Sequence, residues 1–218
     1  SAVNKVDYAG LKDEREQLVD DLANDPNNTT ASDRIAEIDQ KRYRWLEFYK
    51  IKFKGEWFAA LTKKLVLRPA FEFGFLGAYN NDRGIIPFER FFLGGDGLGM
   101  YSLDGRETIA LRGYPNQSLS NQDGGTIYNK YSLEMRYPIS LGEQAKIFAL
   151  AFIEGGNSYN SFRDFNPFLI KRSAGLGVRL FMPAFGLLGI DFGHGFDAVP
   201  GQSKKHGWET HFIIGQSF

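Results

Sequence analysis

The sequence predicts an all-β fold, specifically a portion of a transmembrane antiparallel β-barrel with about seven strands. Three observations carry this expectation. From residue 43 onward, apolar and polar side chains alternate with a period of two in one segment after another. The apolar faces carry Tyr and Trp near their ends, as a lipid-facing band between aromatic girdles does. The connections alternate between short turns and long loops.

Composition sets the outer bounds. Lys plus Arg and Asp plus Glu both total 26, so the chain is neutral and lacks the basic field that draws nucleic acid. There is no cysteine, which excludes disulfides and cysteine-ligated zinc or iron-sulfur centres. Mean hydropathy is −0.32, and no run approaches the roughly 18 apolar residues of a membrane helix. Strands need only about 9 to 11 residues to span, apolar on one face alone. Residues 1–10 carry no basic and apolar tandem, so a signal peptide is either already removed or the chain starts inside a larger protein.

The first 42 residues form a polar segment of their own. Residues 12–41 are rich in Asp, Glu, Gln and Ala and are broken by Asp25-Pro26-Asn27-Asn28. Two short helices are expected, the second capped by Thr30 or Ser32. A solvated excursion outside the barrel explains them, and a partner-binding helical hairpin is the alternative.

Residues 43–218 form the strands. In the first, Tyr43, Trp45, Tyr49, Ile51, Phe53 and Trp57 oppose Lys50, Lys52, Lys54 and Glu56. Trp45 and Trp57 lie about 28 Å apart along the membrane normal for a strand tilted about 45°, close to the height of the apolar band. In the second, Leu65, Leu67, Phe71, Phe73 and Phe75 oppose Arg68, Glu72 and Gly74. In 127–137, Tyr131, Leu133, Met135 and Tyr137 oppose Lys130, Ser132, Glu134 and Arg136. Residues 147–157 are apolar on both faces until Glu154, so alternation does not orient them. Residues 170–182 set Ala174, Leu176, Val178 and Leu180 against Lys171, Ser173, Gly175, Gly177 and Arg179. Residues 188–194 set Leu188, Ile190 and Phe192 against Gly189, Asp191 and Gly193, and the last strand, 208–218, sets Trp208, Phe212, Ile214 and Phe218 against Glu209, His211, Gly215 and Ser217. A soluble sandwich also alternates, but its core is usually Val, Ile and Leu without aromatic ends.

Short turns are expected at 62–64, 139–144 and 183–186, and long loops at 80–125, 158–169 and 195–207. Long loops on one side are the outer-membrane pattern, with that side outside the cell. Single-chain bacterial barrels normally have even strand numbers. An odd count implies a carboxyl-terminal segment of a larger barrel, unless a strand is hidden near 88–93.

The long loop carries Phe91-Phe92-Leu93-Gly94-Gly95 and then Leu111-Arg112-Gly113-Tyr114. The strands after it carry Ser132-Leu133-Glu134 and Phe152-Ile153-Glu154-Gly155-Gly156-Asn157, and the chain ends Phe212-Ile213-Ile214-Gly215-Gln216-Ser217-Phe218. Each motif alone is weak. In their order and spacing they resemble the BamA family, over the chain from about residue 43. The resemblance implies that the loop folds back into the barrel, and that Arg112, Gly113 and Tyr114 meet the lumen-facing acids Glu134 and Glu154. It also implies that Phe212, Ile214, Gly215 and Phe218 belong to a terminal strand forming one side of a seam, with Phe218 as an assembly signal. Glu154 departs from the family, which often has Asp there, and no upstream periplasmic repeats are present. The physical reading of Arg112 agrees, since a guanidinium can fork onto carboxylates, and Gly113 permits close backbone approach.

Chemistry-bearing alternatives are weak. Asp191 with His194 imitates part of a hydrolase site, but no Ser lies in a nucleophile motif and His194 shares the apolar face. The run 94–99 is glycine-rich without the Lys and helix of a phosphate loop, and reads as flexible. No catalytic residue, metal or cofactor is therefore expected. The family implies an outer-membrane insertase that acts on nascent outer-membrane proteins, with lipid around it and accessory assembly subunits beside it. A protein-exporting relative, the anchor of a fused lipase domain and a passive pore remain as alternatives.

Overall fold

The polar opening segment folds as two helices, α1 (Tyr8–Asn24) and α2 (Thr29–Arg42), in a computed structural model that describes residues 7–26, 28–42, 48–79, 85, 87–97, 106–183 and 186–215. Asp7 caps α1 through Gly10 N at 3.0 Å. The cap of α2 is Asn28, whose Oδ1 accepts from Ala31 N at 3.0 Å. Thr30 and Ser32, the expected caps, lie inside the helix, because the turn is tight enough for the Asn to reach the first free N–H groups. Arg15 pairs with Asp39 and Arg34 with Glu14, both at 2.7 Å, over buried Ala31 and Ile38. This hairpin belongs to one compact unit, Ser1–Tyr49 with Leu76–Ile86; the second unit comprises Lys50–Phe75 and Pro87–Phe218.

The strands are β1 (Phe48–Glu56), β2 (Ala59–Ala60), β3 (Val66–Ala78), β4 (Phe91–Leu93), β5 (Glu107–Ile109), β6 (Ile127–Leu141), β7 (Lys146–Tyr159), β8 (Lys171–Met182), β9 (Gly186–Ala198) and β10 (Lys205–Gly215). Seven of them form one sheet in the order β1-β3-β6-β7-β8-β9-β10, with the short β2 added against β3. The registers recorded from β3 to β10 are antiparallel. Apart from the nine-residue β1, the seven are 11 to 15 residues long, sufficient to cross a bilayer as tilted strands. No helix among the described residues is long and apolar enough to cross, which does not bear on crossing by strands.

Polarity is inverted relative to a soluble sheet. Ile51, Phe53, Leu133, Ile153, Leu176 and Ile214 are exposed on one face, whereas Ser132, Glu134, Glu154, Ser173, Arg179 and Asp191 are buried on the other. Trp57, Tyr137 and Trp208 mark the exposed face near strand ends. A sheet face with this many exposed apolar side chains suits contact with lipid, since soluble monomers rarely expose contiguous apolar patches larger than a few hundred Å². The fold is that of a transmembrane antiparallel β-barrel portion, with its sheet open between β1 and β10 among the described residues.

The structure orients β7, which alternation did not. Leu150, Phe152 and Glu154 are buried inward, while Ile153 is 60% exposed outward. The suspected strand near 88–93 exists as β4, but it pairs in parallel with β5 inside the long loop and is not a wall strand. The glycine run is ordered where it is described. Gly94 N and Gly95 N donate to Ile109 O and Leu111 O at 3.0 Å, and both glycines have positive φ. The loop expected at 195–207 is shorter, because Phe196 and Ala198 extend β9 and Lys205 and His206 begin β10. Trp45 and Phe218 lie outside the described residues.

The core sits on the inner face of the sheet and is supplied by the long loop. Phe91, Leu93, Leu111 and Tyr114 are fully buried, and Phe91 meets Tyr128 of β6 edge-on at 4.7 Å. Gly74 leaves the space for this pair, since a Cβ there would lie 2.1 Å from the Tyr128 ring. Lys50 of β1 holds Glu89 and Glu107 of the loop at 2.8 and 2.7 Å.

Candidate functional site

Arg112 lies in the turn just after Leu111, whose carbonyl is held by Gly95 N, so the loop backbone delivers its side chain to the inner wall. Its guanidinium meets three carboxylates from three strands. Nη2 donates to Glu154 Oε1 of β7 at 2.6 Å and to Glu134 Oε1 of β6 at 2.8 Å, and Nη1 donates to Asp191 Oδ2 of β9 at 3.0 Å. The backbone N–H of Arg112 donates to Glu154 Oε2 at 2.9 Å, so Glu154 grips both ends of the residue. The guanidinium lies 3.8 Å from the centroid of the Phe152 ring, a cation–π contact. Burial opposes the charge, but Glu154, Glu134 and Asp191 outweigh it and hold the Arg112 pKa above its ordinary value.

The acids have further partners, and these decide how much each depends on Arg112. Asp191 is also held by Arg179 at 2.6 Å. Glu134 receives Arg136 at 2.8 Å and lies 3.5 Å from Arg68. Glu154 has Ser132 Oγ at 3.1 Å and Lys130 at 3.8 Å, so Arg112 is its principal cation.

Gly113 brings the loop backbone against β9. Its φ is +86°, and a Cβ there would come within 2.8 Å of Ser173 Cβ and 3.1 Å of the His194 carbonyl carbon. The wall is glycine in return, since a Cβ on Gly193 would lie 2.6 Å from Gly113 N. The Gly113 N–H donates to Nε2 of His211 on β10 at 2.7 Å, which requires that nitrogen to be unprotonated. Tyr114 donates from its hydroxyl to Arg172 O at 2.6 Å and accepts from Asp197 N at 3.2 Å, and burial pushes its phenol up to about 12. The loop motif thus touches β6, β7, β8, β9 and β10.

The structure therefore brings Arg112, Gly113, Glu134 and Glu154 together, with Tyr114 beside them. The terminal-strand residues Phe212 and Ile214 face outward, away from this cluster, and Gly215 ends β10 opposite Leu187. Sequence reasoning missed Asp191, Arg179, Phe152 and His211 as members. Asp191 and His211 were in phase with their strands' polar faces, and of the flanking glycines Gly193 admits the Gly113 backbone while Gly189 makes room for the Arg179 side chain. Phe152 was in phase with Glu154 but apolar, and an aromatic floor under a cation carries no such signal. Among the described residues no acidic or histidine group is arranged to hold a metal ion.

The chain has counterparts among known proteins at the level of its family and fold. A family model for the Omp85 superfamily domain matches residues 35–218. The chain belongs to the Omp85 superfamily. Among solved structures, BamA from Haemophilus ducreyi lacking POTRA domains 1-3 is similar in fold, with a TM-score of 0.54 and 15% identity, over 77% of this chain and 35% of that one. The chain thus spans about a third of that relative's length. No curated protein matches it by sequence.

Proposed function

We propose that this Omp85-superfamily chain is the barrel portion of an outer-membrane insertase, which folds and inserts nascent β-barrel proteins without enzymatic chemistry. The reading is supported by the Omp85 superfamily match together with the place of β10, the last strand of the described sheet, whose inner face is tethered to the Arg112 loop through His211. An unpaired strand edge in lipid leaves a row of N–H and C=O groups that water cannot satisfy, each costing several kcal/mol. Such an edge binds another strand by β-augmentation, whether the strand that closes its own barrel or that of a client. The two compete, and exchange between them inserts the client. The loop cluster supports this mechanism by fixing the walls beside the edge while the edge changes partner. Lipids, client barrels and accessory assembly subunits are the partners the reading implies.

Depletion of the protein tests it. Insertion predicts loss of several unrelated barrel proteins from the outer membrane, with unfolded forms accumulating on the periplasmic side. Loss of one secreted protein with normal barrel levels would instead support an exporter. A passive pore is disfavoured by the loop, which fills the inner face with Phe91, Leu93, Leu111 and Tyr114. A fused lipase anchor would leave barrel levels unchanged on depletion.

A further inference from the structure

The loop between β7 and β8, residues 160–170, turns toward the outer wall. Its Phe162 ring stacks on Phe75 of β3 at 5.6 Å, and Phe165 meets the same ring edge-on at 5.9 Å. Ile170 beds onto Gly155, where a Cβ would lie 2.7 Å from its Cδ1. Gly155 is in phase with the outward Ile153, so this contact is on the outer face. The loop's path is held by polar side chains on that face. Asn129 Nδ2 donates to Pro167 O at 3.0 Å, Asn157 Nδ2 donates to Leu169 O at 2.9 Å, and Tyr159 Oη donates to Leu169 O at 2.9 Å. Backbone N–H groups are used too, with Leu169 N donating to Asn166 O and Ile170 N to Phe168 O, both at 3.1 Å.

This covered backbone presents apolar side chains away from the protein. Phe168 is 88% exposed, Leu169 62% and Phe162 57%. Irregular backbone is tolerated at membrane depth only when its polar groups find partners in the protein, and beside the exposed Phe168 and Leu169 the Asn129, Asn157 and Tyr159 bonds supply them to the Pro167 and Leu169 carbonyls. Along the sheet, Gly155 pairs with Arg172, which is two residues along β8 from Ala174; Ala174 pairs with His194, and His194 with Trp208. Trp208 is itself 72% exposed, so the loop tip stands at the level of the outer aromatic girdle and continues the lipid-facing wall.

We infer that residues 160–170 are a membrane anchor: Phe162, Phe168 and Leu169 insert among the outer-leaflet acyl chains. The loop thereby widens the barrel's hold on the bilayer on the β3 to β8 side, away from β10. The inference rests on the membrane-barrel reading and adds to it a loop that enters lipid.

The chain has no cysteine, so single cysteines can be introduced and labelled with an environment-sensitive fluorophore. We would place them at Phe168→Cys, at Leu176→Cys on the wall and at Lys204→Cys in the β9–β10 turn, in the intact protein reconstituted into phosphatidylcholine vesicles. Lipids brominated near the headgroup end of their acyl chains should quench the Phe168 label several-fold more than the Lys204 label, and aqueous iodide should show the reverse order. If Leu176 is lipid-quenched but Phe168 is reached by iodide, the anchor is refuted and the barrel reading stands. If Leu176 also escapes lipid quenching, the barrel reading itself fails. Protection of Phe168 from both quenchers would assign the surface to protein contact and overturn the anchor.

Discussion

Replacing Arg112 with Ala should damage one acid far more than the other two. Asp191 keeps Arg179 at 2.6 Å and Glu134 keeps Arg136 at 2.8 Å, but Glu154, only 3% exposed, keeps just the backbone N–H of residue 112 at 2.9 Å, the Ser132 hydroxyl and a Lys130 ammonium at 3.8 Å. Removing one partner of a buried ion pair costs about 3–5 kcal/mol, chiefly through the stranded charge. The lost contact with Phe152 adds about 0.5–2 kcal/mol. The folding equilibrium should therefore fall by at least about a hundredfold. Urea titration of the micelle-embedded barrel measures this as a lower midpoint at unchanged slope. The attribution to Glu154 is tested by the double variant. Arg112→Ala with Glu154→Gln removes the stranded charge and should recover at least about half the loss, whereas adding Glu134→Gln instead should recover little. A loss below about 1 kcal/mol for Arg112→Ala, or a double variant no more stable than the single, would refute the reasoning.

Other outcomes follow from the same geometry. Arg112→Lys should recover only part of the loss, because an ammonium cannot hold three carboxylates and lie flat on Phe152; urea midpoints decide this. His211→Phe strands the Gly113 N–H and should cost about 1–3 kcal/mol, whereas His211→Gln keeps an acceptor and should be milder; amide exchange at Gly113 reads the difference. Gly215→Val should strengthen β10 pairing by up to about 1 kcal/mol, seen as more cross-linking to the strand that closes the barrel and slower client exchange. Deleting Phe218 should slow the protein's own assembly, followed as heat-modifiable folded protein over time, while protein already assembled keeps its activity.

The wall strands were legible in the sequence because a sheet with lipid on one face and charge on the other must alternate. Phe53, Leu133, Leu176 and Ile214 fall on the outer face as their phase requires. Where both faces are apolar the phase carries no information; in β7 only the resemblance implied an inward Glu154, and the burial of Leu150 and Phe152 beside it against an exposed Ile153 orients the strand. The pairing of Arg112 with Glu134 and Glu154 was readable from charge and from the resemblance. Asp191 and His211 were not, since their partners Arg112 and Gly113 lie 79 and 98 residues away in the chain and only the folded wall with its inward loop brings them together. The inner loop was legible as a loop but not as a core. Phe91-Phe92-Leu93 is a short apolar run, and its parallel pairing with Glu107–Ile109 depends on the wall behind it. The outward path of residues 160–170 had no signal at all, because Asn129 and Asn157 look like ordinary polar interruptions until the loop carbonyls they hold are in place.

The central claim is that β10 exchanges its strand partner with a client, and site-specific cross-linking tests it most directly. A photoreactive residue at Thr210 or Phe212 on β10, in cells expressing a client arrested during assembly, should give cross-links to one strand of the client at register-dependent positions. The same probe at Leu176 on β8, which has strands on both sides, should give none. Cross-links from β10 only to the protein's own barrel, with client captured equally or not at all at every wall position, would contradict the account.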